Sequence, residues 1–220
     1  MSRSEQEFMN WYWNEASEQE KELMEKVESF GILFWDMLFK PGTCSYELTK
    51  VNTKDQGGNW FCAGMELPEE LEDFDYSSFY YKVEELSDCD AYYNNAEKLI
   101  CVSPELLSSD STIMHEMIHL HEAVINDLPM YFHDMLYWAL YKELKEKIPQ
   151  LDEIITQHAH ILTGSTLYSA GGLHDILFLL KSFDLDIRQG YPLGTVFSYG
   201  KDDEFKGYSY EANDNQTAQS

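Results

Sequence analysis

The amino-acid sequence predicts an α+β fold in which a small antiparallel or mixed sheet packs on helices, with a helical extension at the C-terminus. Two observations carry this prediction: apolar residues recur at helical spacing over several long stretches, and short strand-like runs separate the first long helix from the later ones. The 220 residues, 44% hydrophobic and 15% aromatic, suffice for a sizeable core in one domain with extensions.

The first half of the chain predicts one helix and then strands. Residues 5–39 have a helical pattern that becomes strongly apolar after Gly31, and Pro41 and Gly42 end it. Residues 44–51 and 60–65 are strand-like and flank a turn at 53–59, which predicts a hairpin. Residues 66–90 are strongly acidic and are interpreted as solvated loops around a possible strand in which Phe79, Tyr81 and Val83 alternate.

Residues 98–102, KLICV, predict a strand directly before the next helix. A strand in this position can offer unpaired backbone groups to an extended peptide. An ordinary edge or core strand has the same pattern, so the sequence leaves both interpretations open.

Residues 108–126 predict a helix that carries His115, Glu116 and His119 in the spacing H-E-x-x-H. Residues four apart lie on one helix face, so both imidazoles can bind a single ion. Glu116 lies one step round the helix, which suits it to act on a water molecule rather than to bind the ion. The motif therefore predicts a Zn²⁺ site with Glu116 as general base.

A catalytic zinc ion usually has three protein ligands, so His115 and His119 need a partner. We expect His133 to be the third ligand, because it extends the Leu136, Leu140 and Leu144 stripe of a second predicted helix, 131–148.

Several alternatives to His133 stay open. Glu143 and Glu146 lie on the same helix but look like partners in exposed charge pairs. Glu122 continues the first helix, where three collinear ligands span too much rise for a tetrahedron. The remaining histidines are expected to be surface or packing residues, with His174 also able to line the site; they are His121, His158, His160 and His174.

The C-terminal third predicts a helix at 152–162, a connection at 163–172, a short apolar helix at 173–182 and an aromatic extended segment at 191–199. From residue 201 the chain is polar and is expected to fray.

The net charge restricts the classes of binding partner, and the cysteine spacing indicates the cellular compartment. A formal net charge of −25 argues against nucleic acid and anionic membranes. It is first of all a solubility feature, with basic peptides or proteins as the functional interpretation. No apolar run is long enough for a membrane span, and no signal peptide is visible. Four cysteines without a C-x-x-C pair favour reduced thiols, so we expect a cytoplasmic protein.

The order of these segments resembles the SprT-like family of zinc metallopeptidases, which are zincins. The resemblance rests on FWDMLF, the strands CSYELTKV and NWFCAGM, then KLICVSPELL, HEMIH and YFHDMLYWAL. It implies a zincin-like core with a ligand-bearing helix after the H-E-x-x-H helix. Asp134 stands where that family usually has glycine, and the zinc ribbon often appended there is absent.

The sequence thus predicts a metallopeptidase that hydrolyses peptide bonds in a peptide or protein substrate. The expected organisation is an N-terminal helical extension (1–29), the zincin-like core (30–149), a C-terminal extension packed on it (150–200) and a disordered tail (201–220). Tyr131, Tyr137 or His174 are candidates to stabilise the oxyanion, and Asp134 is a candidate to support a ligand. The alternatives are a catalytically silent, acidic, metal-stabilised binding module and hydrolysis of a non-peptide amide.

Overall fold

A computed structural model of the chain describes residues 4–39, 76–87, 89–126, 130–162, 174–200 and 204–211. The fold is α+β, with six helices and a three-stranded mixed sheet in this part of the chain. Buried apolar residues from Leu23 to Phe205 form one hydrophobic cluster. The hairpin expected at 44–65 and the connection expected at 163–172 lie outside the described residues.

The N-terminal helix is interrupted near residue 16. Helix α1 (Glu5–Asn10) continues into a π-helical segment (Trp11–Glu15), and α2 (Glu18–Phe39) follows. Ala16 is extended, and Ser17 opens the second helix because its hydroxyl accepts the Glu20 backbone N–H at 3.2 Å while the Glu20 carboxylate accepts the Ser17 N–H at 2.8 Å. This reciprocal cap explains why a single helix over 5–39 does not form.

Helix α2 contributes to the common core from its first turns onward. Leu23, Val27 and Phe34 lie on one helical face and are at most 4% exposed. Part of the expected N-terminal extension therefore packs inside the main body.

The sheet has the order β1-β3-β2, with β1 (Tyr80–Val83) parallel to β3 (Leu99–Val102) and β2 (Ala91–Asn94) antiparallel to it. The acidic segment thus contains the expected strand, whereas β2 was not predicted from the sequence. Because β3 pairs on both sides, its backbone groups are used within the sheet. The interpretation of 98–102 as an ordinary core strand is confirmed.

Four helices follow the sheet. They are α3 (Asp110–Asn126), α4 (Met130–Lys147), α5 (Leu151–Gln157) and α6 (Ile176–Gln189). Helix α6 begins at Asp175, whose carboxylate accepts the Phe178 N–H at 2.8 Å, and it ends at Gly190 in the left-handed conformation. It extends beyond the predicted end at Ser182 because the interior accommodates its polar residues, including Asp184 and Asp186, which are at most 1% exposed.

The segment after α6 forms successive turns rather than the extended strand expected at 191–199. Asp186 explains the difference: its Oδ2 accepts the Gly194 N–H at 2.7 Å and its Oδ1 accepts the Val196 N–H at 2.9 Å. A carboxylate that binds neighbouring backbone donors bends the chain around itself. We call residues 191–200 the C-terminal turn segment.

Residues 204–211 also pack on the body. Phe205 is 2% exposed and contacts the rings of Phe183 and Phe197, and the Glu211 N–H donates to the Lys147 carbonyl at 2.8 Å. The part of the expected tail that the structure describes therefore belongs to the core. Among the described helices, none has both the length and the apolar composition to cross a bilayer.

Packing of Phe205 against the C-terminal turn segment predicts the effect of substituting Gly194. A Cβ at Gly194 would lie 2.2 Å from Phe205 Cδ2, and φ is +88°. Gly194→Ala should lower the free energy of unfolding by about 1–3 kcal/mol more than Gly190→Ala, because overpacking adds to the cost of a positive φ. Gly190 has φ +71° and open space around it, so it is the matched control. Urea denaturation measures both variants; equal losses would contradict this packing.

Candidate metal centre

Helix α3 presents the H-E-x-x-H residues from a buried position. Its N-terminus is held by Ser109, whose hydroxyl accepts the Thr112 N–H at 3.4 Å, and its apolar side anchors it through Ile113, Met117 and other core residues. One helical turn separates His115 from His119, and their ring centroids are 5.2 Å apart. The expected common face of the two imidazoles is present.

The third imidazole in the cluster belongs to His174. One ligand atom from each of His115, His119 and His174 can be chosen so that all three atoms lie within 4.8 Å of one another. The Nε2 atoms of His115 and His174 are 3.0 Å apart. His174 directly precedes Asp175, the N-cap of α6, so the docking of α6 beside α3 determines where this ring lies.

His133, the expected third ligand, is not part of this cluster. It lies close enough to His121 to lower that residue's pKa, and His121 is two positions from His119, on a different side of α3. Helix α4 therefore brings His133 to the side of α3 that points away from the cluster. The predicted apolar stripe of α4 is confirmed by the burial of Leu136, Leu140 and Leu144, but the sequence could not show which face of α3 the helix meets.

The other candidates also lie apart from the cluster. Glu143 pairs with Lys147 at 2.7 Å and Glu146 is exposed, as expected for surface charges. His158 and His160 approach Glu204 instead, at 3.4 and 3.9 Å. His121 is 2% exposed, so the expectation of a surface position was wrong for this residue.

The surroundings of His115 favour one tautomer. Its Nδ1 is 2.9 Å from the Val196 carbonyl oxygen, which can only accept, so Nδ1 carries the proton and Nε2 has a free lone pair. Burial, then His119 and His174, lower the pKa of His115 well below its usual range. Burial also lowers the pKa of His174, to about 4. Neutral imidazoles of this kind are the form that binds metal.

Glu116 lies beside the cluster and is 1% exposed. Its Oε1 accepts a hydrogen bond from the Tyr199 hydroxyl at 3.1 Å, and the Tyr93 backbone on β2 also hydrogen-bonds the carboxylate. Burial raises the pKa of Glu116 to about 7, against the opposing effects of His119 and these hydrogen bonds. A carboxyl group poised near neutrality can accept and return a proton.

Tyr199 is a site residue that the sequence analysis missed. Its ring stacks on His115 with centroids 4.1 Å apart, and its hydroxyl reaches Glu116. Its φ of 55° is uncommon for a residue with a side chain and is a form of strain often found at functional sites. Burial, followed by the Glu116 charge, raises the pKa of Tyr199, which keeps the hydroxyl protonated as a donor. The sequence offers no signal for this role beyond the neighbouring Gly200.

The proposed oxyanion residues are placed differently. His174 belongs to the imidazole cluster. Tyr137 stacks with Tyr141 near Asp152, away from Glu116. The side chains of Tyr131 and Asp134 lie outside the described residues.

The cluster fits a zinc ion by the chemistry of its donors. Zinc–nitrogen bonds of about 2.0–2.1 Å place tetrahedral ligand atoms about 3.3 Å apart, close to the 3.0 Å between two of these nitrogens. The third donor, His119, has a buried Nδ1 without a hydrogen-bond partner. This would fit an imidazole that binds the ion through Nε2 and has Nδ1 available to donate to a neighbouring residue. His119 and His174 are partly buried, whereas His115 is fully buried.

Comparison with known proteins adds no relative. No protein-family model, no curated protein and no solved structure matches the chain. The likeness to SprT-like metallopeptidases therefore stays a prediction from the sequence.

Separate alanine substitutions of His174 and His133 test which imidazole completes the cluster. If the three imidazoles bind zinc, His174→Ala should weaken zinc binding by more than the 10–100-fold that loss of an outer partner causes, because one of the three donors is removed. His133→Ala, the matched control, should bind zinc as the unchanged protein does. Competition with a chromophoric chelator measures both affinities; a large loss in His133→Ala alone would restore the ligand set expected from the sequence.

Proposed function

We propose that the protein is a zinc-dependent metallopeptidase that hydrolyses peptide bonds with Glu116 as general base. The observation that carries the proposal is the convergence of His115, His119 and His174 beside a buried carboxyl group whose pKa is about 7. Three neutral nitrogen ligands with one position left for water are typical of catalytic zinc sites.

A zinc ion bound there would supply Lewis-acid activation of a water molecule and of the scissile carbonyl. Glu116 accepts a proton from the attacking water and returns it to the leaving amine, for which a pKa near 7 is well matched. The Tyr199 hydroxyl donates to Glu116 in the resting site; once Glu116 has taken the proton of the water molecule, this hydroxyl would be free to donate to the developing negative charge on the substrate.

The substrate class in this proposal is a peptide or protein, with basic sequences favoured by the net charge of −25. The same charge argues against a nucleic-acid substrate. The four cysteines include no C-x-x-C pair, which fits a reducing compartment, so we place the enzyme in the cytoplasm.

A metal-stabilised binding module is the second candidate. The low exposure of His115 and Glu116, 0% and 1%, favours it, because a structural metal site needs no access for substrate. Its distinguishing property is retention of zinc without cleavage of any unfolded or basic polypeptide.

Glu116→Gln separates metal binding from catalysis. Glutamine keeps the shape of the side chain but cannot accept the proton, so kcat should fall by about 10²–10⁴-fold while the zinc content is unchanged. Cleavage of unfolded basic polypeptides and of a broad peptide panel, with and without chelator, measures activity. Glu143→Gln is the matched control because its carboxylate pairs with Lys147 away from the cluster. Full activity in Glu116→Gln would remove this residue from its role.

Tyr199→Phe tests the proposed electrophile. Phenylalanine retains the ring that stacks on His115 and removes only the hydroxyl, so kcat should fall by about 10²–10³-fold with KM nearly unchanged. Steady-state kinetics on the best substrate of the panel gives both constants. Tyr137→Phe, a candidate that lies elsewhere, should be indistinguishable from the unchanged protein; a larger loss there than at Tyr199 would contradict the assignment.

A further inference from the structure

A fully buried lysine lies behind the imidazole cluster. Lys181 on α6 is 0% exposed, and its Nζ is 3.3 Å from Glu122 Oε1 on α3. Lysine is almost never fully buried unless it is paired, since a charge loses much hydration energy inside a protein. The desolvation of such a buried ion pair can cost as much free energy as its Coulombic attraction provides, so stability alone does not explain the pair.

The carboxylate of Glu122 connects this lysine to the cluster. Its Oε2 lies 3.9 Å from His119 Nδ1, and that nitrogen is buried without a hydrogen-bond partner. A histidine that binds metal through Nε2 carries its proton on Nδ1, and this proton needs an acceptor. The 3.9 Å separation is longer than a hydrogen bond, so Glu122 is an acceptor beside this nitrogen and is not yet bonded to it.

The charges support the same arrangement. Burial by itself would raise the pKa of Glu122, but Lys181 and His119 outweigh it, so the pKa lies below its usual value. Burial lowers the pKa of Lys181, and the Glu122 charge is the main opposing effect. The geometry agrees with this: the Glu122 side chain is 9% exposed, with Lys181 Nζ at 3.3 Å from one oxygen and His119 Nδ1 at 3.9 Å from the other.

The two histidines of α3 each have an acceptor next to Nδ1, and the two acceptors differ in kind. His115 donates from Nδ1 to the Val196 carbonyl at 2.9 Å, whereas His119 faces a charged carboxylate. Ligand imidazoles are commonly oriented and made more basic by acceptors of these two kinds.

We propose that Glu122 and Lys181 are a positioning pair for His119, in which Glu122 accepts the Nδ1 proton of His119 and Lys181 holds the carboxylate in place. This inference rests on the metal site of the proposed function and is independent of peptidase activity. Neither residue contacts substrate; both act through the orientation and basicity of one imidazole.

Zinc affinity of the whole protein tests the pair, measured by chelator competition on Glu122→Gln and on the double variant E122Q/K181M. Glu122→Gln removes the charged acceptor, so the affinity for zinc should fall about 10–100-fold. It also removes the carboxylate that pairs with the buried Lys181 and leaves only the Asp175 charge to act on it, so the thermal midpoint of the metal-free protein should drop. In E122Q/K181M both charges are gone and the midpoint should recover, while the zinc affinity stays low.

The double variant separates positioning from stability. If zinc affinity recovers together with the thermal midpoint, the pair is only structural and the inference is overturned. Glu143→Gln is the matched control, because it breaks an ion pair on the surface of α4 and should change neither quantity. A shift in the visible absorption of bound Co²⁺ in E122Q/K181M is a second expected result, and an unchanged spectrum with unchanged affinity would overturn the proposal. Failure of the unchanged protein to bind zinc would instead refute the proposed function.

Discussion

The His115 ring is the point at which the parts of the candidate site meet. Its Nδ1 contacts the Val196 carbonyl, its Nε2 is 3.0 Å from His174 Nε2, and Tyr199 stacks on its face. All three partners come from α6 and its flanks, whereas His115 lies on α3. Because the ring is fully buried, each polar contact replaces one with water, and loss of any of them would leave a buried nitrogen unsatisfied. The geometry of the cluster therefore depends on the packing of α6 against α3.

The packing of α6 against α3 buries ionisable side chains. Glu116, Lys181 and Asp186 are all at most 1% exposed, and each is compensated differently: by a tyrosine hydroxyl, by an opposing carboxylate and by backbone N–H groups. Buried charges cost several kcal/mol unless they are paired or hydrogen-bonded. The same low-dielectric surroundings strengthen the electrostatic interactions that these groups make with their partners.

The division of the chain into a core and a C-terminal extension does not describe how the site is built. His174 and Tyr199 both belong to the segment that was interpreted as an extension, and they complete the cluster begun by α3. Phe205 extends the same hydrophobic core beyond residue 200. In the part of the chain that the structure describes, helices from both ends share one interior, so a fragment without residues 174–200 would lack one imidazole of the cluster as well as packing.

The sequence by itself determined the helix that carries His115, Glu116 and His119 and the strand before it, because these follow from the helical and strand periods of contiguous residues. It also predicted the buried apolar stripe of α4, formed by Leu136, Leu140 and Leu144. Only the tertiary structure decided that His174 joins His115 and His119 while His133 lies beside His121. Residues distant in sequence are brought together by the packing of whole helices, and that packing depends on buried contacts, such as those of Asp186 with the C-terminal turn segment, that no local pattern encodes.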